Sequence, residues 1–263
     1  MKKEDKVLDV LTRAHFLEDV LQLWNHQSPE SEAETNLLEM LVKLESLVDT
    51  YATNGIPQSI LIDSLRDFRY RTSRYNNEKG GVGLSKHDMH WLHDFLNFRL
   101  FDLGSLRYQI FPFDRTYIER EGMDSLPLTQ EQKSRFQDGD VYLNIHIMKG
   151  ADLSPIAIEA SLQQARDFFS KYFPELNIKG FITRTWLIYS KMSYLLPSES
   201  NIVKFGHRFE IIQEAPIRYQ ILERVYGTQD LEVIAQMPKK TSLQRNILNN
   251  LENVGVSFGY IPF

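Results

Sequence analysis

The sequence predicts an α+β protein, a helical N-terminal part followed by a part in which strands alternate with helices. Three observations carry this reading. Apolar residues recur at helical spacing through the first hundred or so residues. Beyond them, aromatic and β-branched residues gather in short stretches of the kind that strands favour. Residues 141–188 then read as strand, helix and strand, and a helix of that length between two strands is the crossover that joins parallel neighbours.

In the N-terminal part, Leu8, Leu11, Phe16, Val20, Leu21 and Trp24 follow one helical pattern, which Ser28-Pro29-Glu30-Ser31 interrupts. Leu37, Leu38, Leu41, Leu44, Leu47 and Val48 mark a second helix. Asn54-Gly55-Ile56-Pro57 is a turn, with Pro57 suited to open a third helix through Ile60, Leu61, Leu65 and Phe68. Gly80-Gly81-Val82-Gly83 closes that region, and Met89, Leu92, Phe95 and Leu96 mark a fourth helix.

The second part opens with a strand over 106–113. Residues 114–140 are polar and read as a long excursion. In Val141-Tyr142-Leu143-Asn144-Ile145-His146-Ile147 the odd positions are aliphatic and the even ones polar, the alternation of a strand with two unlike faces. Ser154-Pro155 is an N-cap followed by proline at the first helical position, and Pro174 stops the helix it starts. Strands are expected over 178–188, 219–226 and 256–260, and a helix over 198–209. Thr241-x-x-Gln244 is a capping box that opens the last helix.

Composition narrows the function classes. A chain of 263 residues holds one large domain or two modest ones. Its net charge of −5 argues against a dedicated nucleic-acid binder. With no cysteine there is no disulfide, thiolate metal site or cysteine nucleophile. The first residues lack an apolar signal core, and no apolar run approaches the ~18 residues of a membrane span, so no membrane association is expected and the expected compartment is the cytoplasm. Oligomeric state is left open.

Ligands of open sheets bind beyond the carboxyl ends of parallel strands, which here is the loop 149–154. Gly150 permits close backbone approach, the helix start offers amides to an anion, and Lys149 adds a positive charge, while Asp152 opposes one. An ordinary capped loop fits the same residues. His146, on the polar strand face with Asn144 and Tyr142, is a candidate general base, and a hydrogen-bonded sheet histidine is its plainer role. His87, His90 and His93 stand three apart and sweep around their helix, so a metal site is not expected there. Arg66, Arg69, Arg71 and Arg74 interleave with Phe68, Tyr70 and Tyr75, a pattern open to a phosphate or nucleic-acid surface that reads first as a solvated, salt-bridged face. The glycines at 80–83 follow a helix and match no phosphate-binding motif.

Several blocks carry a family resemblance. They are Trp91-Leu92 with Phe101-Asp102-Leu103-Gly104-Ser105-Leu106-Arg107-Tyr108, the stretch from His146-Ile147 to Phe173-Pro174-Glu175, and Trp186-Leu187-Ile188. Leu196-Pro197-Ser198-Glu199-Ser200-Asn201-Ile202-Val203-Lys204-Phe205 and Thr241-Ser242-Leu243-Gln244-Arg245 complete the set. In order and spacing they resemble a bacterial family that joins an N-acyltransferase N-terminal domain to a GNAT-like C-terminal domain. The resemblance implies domains at 1–97 and 98–263, the second a mixed sheet flanked by helices. It implies an acyl-CoA co-substrate such as acetyl-CoA, no metal, and a small-molecule or peptide amine as acceptor.

The resemblance further implies that 141–147 and 178–188 are two strands that splay to admit the pantetheine arm, and that 149–154 is the pyrophosphate loop. It puts Ile147, Met148, Lys149, Gly150, Ser154 and Trp186 at the cofactor, His146 or Glu223 as base, Tyr189 as acid, and Ser200 and Asn201 at the substrate or capping their own helix. The family loop reads Q/R-x-x-G-x-G/A, whereas this one has a single glycine. A non-catalytic GNAT-like module that binds a small molecule or a partner protein is the alternative, and a binder of nucleotide phosphate is a third reading.

Overall fold

In the computed structural model, residues 3–117 and 129–263 are described. The first apolar pattern is two helices, α1 (Lys3–Arg13) and α2 (Glu18–His26), because the chain turns between them with His15 at φ 57°. Ser31 caps α3 (Glu32–Thr53) by accepting the Glu34 N–H. The expected third helix is divided at Leu65 into α4 (Gln58–Ser64) and α5 (Arg66–Lys79). Gly80, left-handed at φ 73°, ends α5, and α6 (Lys86–Leu96) follows.

Then come β1 (Leu100–Leu103), β2 (Leu106–Pro112), α7 (Gln130–Arg135), β3 (Val141–His146), α8 (Pro155–Tyr172) and β4 (Ile178–Thr185). The chain continues through α9 (Met192–Leu195), α10 (Asn201–Gly206), β5 (Glu210–Ala215), α11 (Tyr219–Tyr226), α12 (Leu231–Gln236), α13 (Ser242–Asn249) and β6 (Val256–Pro262). The expected excursion over 114–140 contains a 3-10 turn at Arg115–Tyr117 and α7, and the rest of it falls partly outside the described residues.

Three expectations are corrected. Residues 219–226 form a helix, α11, whose buried Ile221 and Leu222 with half-buried Val225 and Tyr226 give the i, i+4 repeat of a helical face. The strand expected to reach residue 188 ends at Thr185, whose hydroxyl accepts the Leu187 N–H and starts a 3-10 turn at Trp186–Ile188. The helix expected over 198–209 is only the six residues of α10. β1 and β5 are strands that the sequence does not mark. The capping box at Thr241 and Gln244 forms with both of its hydrogen bonds.

The chain divides into two compact units. The first comprises residues 1–103, 107–109 and 168–172. Its core is built from residues such as Leu37, Leu41, Leu44, Phe68 and Phe101, and it also buries charge. Arg107, 4% exposed, pairs with Asp102 through both carboxylate oxygens and with Asp67 at 3.3 Å. Asp88, 1% exposed, accepts from Arg71 and Arg74 at 2.7 Å each. The arginines at 71 and 74 are thus ion-paired, but to a buried aspartate and not on a fully solvated face.

The second unit comprises residues 104–106, 110–167 and 173–263. The strands are ordered β1-β2-β3-β4-β6-β5 in one sheet. β3 and β4 are parallel, so 141–185 is the strand, helix and strand crossover read from the sequence. β6 is antiparallel to both β4 and β5. One sheet face carries a cluster of Phe113, Phe136, Tyr142, Ile182, Ile212 and Phe258. Removing each such ring from water contributes roughly 1.5–3 kcal/mol. On the opposite face, the guanidinium of Arg166 from α8 stacks over the Phe181 ring at 5.4 Å. Among the described residues, no helix is long and apolar enough to cross a membrane.

Candidate active site

Strand directions bring the carboxyl ends of β3, β4 and β5 to one edge of the sheet, together with the start of β6. The β3–β4 register runs from Val141↔Ile178 to Asn144↔Ile182. Past that pair, the strands are linked by a side chain: the buried Thr183 hydroxyl donates to the Ile145 carbonyl at 2.9 Å. A side chain thus adds to the backbone pairing of the two parallel strands at the edge where ligands of open sheets bind.

The face that carries the aromatic cluster also carries His146. The expected polar face is buried at its start: Tyr142 is fully buried, and its hydroxyl donates to the Arg135 carbonyl at 2.8 Å. Asn144 is 5% exposed, and its Nδ2 lies 3.4 Å from Nε2 of half-buried His146. Extending the register two residues sets His146 level with Arg184, which pairs with Phe258 and, through it, with Gln213. A bulge between Ile211 and Gln213 sets both Ile212 and Gln213 against Phe258, so apolar core gives way to polar side chains along this row.

The opposite face carries a second polar group. Ser257 alternates with Phe258, and its hydroxyl donates to Glu214 Oε1 at 2.7 Å. Ser190 donates its N–H to the same oxygen and its hydroxyl to Oε2, both at 2.9 Å. The Tyr189 ring lies against Gly255, so close that a Cβ there would stand 2.5 Å from the ring. Burial, with the Glu214 carboxylate beside it, pushes the Tyr189 phenol above its ordinary pKa and keeps it protonated. Trp186, 9% exposed, stands on the 3-10 turn, not on a strand, and its N–H donates to Gln220 of α11 at 2.7 Å. Glu214, Ser190 and Ser257 lie 24 and 43 residues apart in sequence as bonded pairs, and no local motif announces them.

At the 149–154 loop, Ile147 and Met148 are half-buried while Lys149 and Gly150 are exposed, with Gly150 at φ 83°. The loop consumes much of its own donor capacity. Ala151 donates its N–H to the Met148 carbonyl at 3.1 Å, and Ser154 donates its N–H to the Asp152 carboxylate at 2.8 Å. Ala157 donates to the Ser154 hydroxyl at 3.4 Å, and Pro155 has no N–H to give. An anion at this loop would have to compete with the Asp152 carboxylate for the Ser154 N–H.

The remaining candidates lie elsewhere. Glu223 is exposed on α11. Ser200 caps α10 by accepting the Val203 N–H at 3.2 Å, and Asn201 is exposed beside it. On α6, Trp91 donates to His87 at 3.0 Å, and Asn97 lies 2.9 Å from a ring nitrogen of His93. Among the described residues, no group of three or more histidine, aspartate or glutamate side chains stands ready to hold a metal.

Residues 100–260 match the model of the GNAT-like C-terminal domain family. The chain belongs to that family. No curated protein matches it. Among solved structures, the GNAT-like chain is similar to an acyltransferase in complex with decanoyl-CoA and teicoplanin. The identity is 17%, the TM-score 0.71, and the match covers 98% of this chain and 88% of that one. An acyltransferase mutant in complex with octanoyl-CoA gives 17% identity and a TM-score of 0.72, with the same coverage. An acyltransferase in complex with CoA and 10C-teicoplanin gives 18% and 0.71, over 97% of this chain and 86% of that one. At these identities the likeness is one of fold: a helical region followed by a mixed sheet flanked by helices, as in GNAT-like acyltransferases.

Proposed function

We propose that this protein transfers an acyl group from acyl-CoA to an amine. The observation that carries the reading is the last paired residues of the parallel strands, Asn144↔Ile182, which follow a register shift between Val141 and Leu143, with His146 on one sheet face and Tyr189 on the other. An amine attacking a thioester needs a base on its own side and an acid on the side of the leaving sulfur. In this reading His146 takes the proton from the amine as the C–N bond forms. Tyr189 gives its proton to the sulfur as the C–S bond breaks. Backbone N–H groups near Ile147 and Met148 stabilise charge on the carbonyl oxygen. Trp186 walls the cleft, and 149–154 faces the adenosine end of the donor. Glu214, on the Tyr189 face, adds to burial in holding that phenol protonated, exposed Glu223 is the second candidate base, and Ser200 and Asn201 stand as substrate contacts.

The solved relatives bind octanoyl-CoA and decanoyl-CoA and act beside a glycopeptide, which supports a peptide-like amine as acceptor and a donor range extending from acetyl-CoA to medium chains. The proposal divides the chain into an N-acyltransferase-type domain, 1–97, and a catalytic domain, 98–263, of a bacterial enzyme working in the cytoplasm, where acyl-CoA is made. The self-bonded loop favours one rival reading, a non-catalytic module that binds a small molecule or partner.

Thiol release from acetyl-, octanoyl- and decanoyl-CoA, measured with a panel of primary amines and glycopeptides, tests the reading, together with melting temperatures in the same donors. A donor that binds only the folded state stabilises it by about 2.7 kcal/mol at a hundred times its Kd. The absence of both thiol release and a melting shift at millimolar donor would sink the transferase. His146→Ala is expected to lower kcat by about a hundredfold or more while leaving the donor-induced shift intact.

A further inference from the structure

We infer that Asp152 sets the donor specificity of this site, so that the donor is recognised through its pantetheine thioester and the CoA diphosphate adds little; this rests on the transferase reading above. A diphosphate bound at a strand-to-helix loop is held by free backbone N–H groups and a positive local field. Here the Ser154 N–H is held by the Asp152 carboxylate at 2.8 Å and the Ala157 N–H by the Ser154 hydroxyl, while the first helical residue is Pro155. Asp152 also matches, in formal charge, the single cation of the loop, Lys149. The carboxylate thus occupies one donor at the helix start that a phosphate would use, the Ser154 N–H, and its charge repels a phosphate as well. At the strand ends past Asn144↔Ile182, where the transferase reading puts the pantetheine arm, the Ile145 carbonyl is bonded to the Thr183 hydroxyl, and no carboxylate takes part in that bond.

The substrate class is therefore any pantetheine thioester, whether carried by CoA or by the phosphopantetheine arm of a carrier protein. Octanoyl-CoA, octanoyl-4′-phosphopantetheine and octanoyl-pantetheine are compared by kcat/KM for thiol release with one active amine. The three values are expected to lie within about tenfold of one another. Asp152→Asn keeps an oxygen to accept the Ser154 N–H but removes the charge, so the turn survives. It is expected to raise the CoA-to-pantetheine ratio by about tenfold or more, with octanoyl-pantetheine turnover and melting temperature unchanged. Asp152→Ala serves as the second variant and moves the ratio the same way. A purely structural role for Asp152 would lower all three values together and overturn the inference. A wild-type preference for octanoyl-CoA above about a hundredfold would overturn it too and leave the transferase standing. Thiol release from none of the three donors overturns both.

Discussion

Thr183 and Ile145 are joined by a hydrogen bond from the threonine hydroxyl to the isoleucine carbonyl, 2.9 Å long and closed to water, one residue past the Asn144↔Ile182 pair of β3 and β4. Thr183→Val keeps the side-chain shape and leaves that carbonyl without this donor. The cost is expected to be about 1–3 kcal/mol in urea denaturation, with Thr183→Ser close to wild type. Equal stability of the valine variant and the wild type would show that the link does not hold the strands.

The buried guanidinium of Arg107 gives a second expectation. Asp102→Ala removes its two-oxygen partner and leaves a charge at a site 4% exposed. A loss of about 3–5 kcal/mol is expected from chemical denaturation. Glu39→Ala, which breaks the exposed Lys43–Glu39 pair at 3.1 Å, is the control and is expected to change stability by about 0.5 kcal/mol or less. Similar effects from the two variants would contradict the distinction between buried and exposed charge.

Asp88 makes stability depend on acid. Burial pushes its carboxyl up, but the Ser85 hydroxyl, Arg71 and Arg74 outweigh burial and bring it below the ordinary carboxylate value. A carboxyl with a lowered folded pKa stabilises the fold fully above its unfolded value, near 3.9, and loses that contribution as pH falls through the folded pKa. Asp88→Asn is expected to be less stable at pH 7 and to fall less steeply than wild type below about pH 4. Melting temperatures from pH 2 to 7 check this, and parallel curves would refute it.

Tyr189 gives an expectation in the alkaline range. Its phenol is held protonated by burial and by Glu214, so it remains an acid past its ordinary pKa of about 10. Tyr189→Phe is expected to lower kcat about a hundredfold with KM little changed. The wild-type rate is expected to show no descending limb from this group below about pH 10. A variant with raised KM, lowered melting temperature and normal kcat would mark Tyr189 as packing alone.

The crossover was legible because several local signals agree there. The alternation at 141–147, the Ser154-Pro155 start and the Pro174 stop each depend only on near neighbours. β5 was not legible: Glu210-Ile211-Ile212-Gln213-Glu214-Ala215 lacks clean alternation, and its bulge shifts the phase of the side chains midway. α11 misled for a related reason, since Tyr219, Ile221, Val225 and Tyr226 favour strands locally and only the burial of one face makes them helical. The base candidate His146 came from its strand. Glu214 did not, because its partners Ser190 and Ser257 arrive through tertiary pairing.

The strand order has a consequence for synthesis on the ribosome. β6 lies between β4 and β5, although it follows both in sequence. While the chain is made, β4 and β5 each wait with an unpaired edge until residues 256–262 emerge. At ordinary elongation rates that interval lasts on the order of a few seconds. Edges of that kind recruit other chains, so a nascent polypeptide stalled before Val256 is a candidate for chaperone capture and for aggregation. The arrival of β6 therefore completes the sheet, and ribosome profiling of slowed codons between 215 and 256 would find the segment where pausing is most harmful to yield.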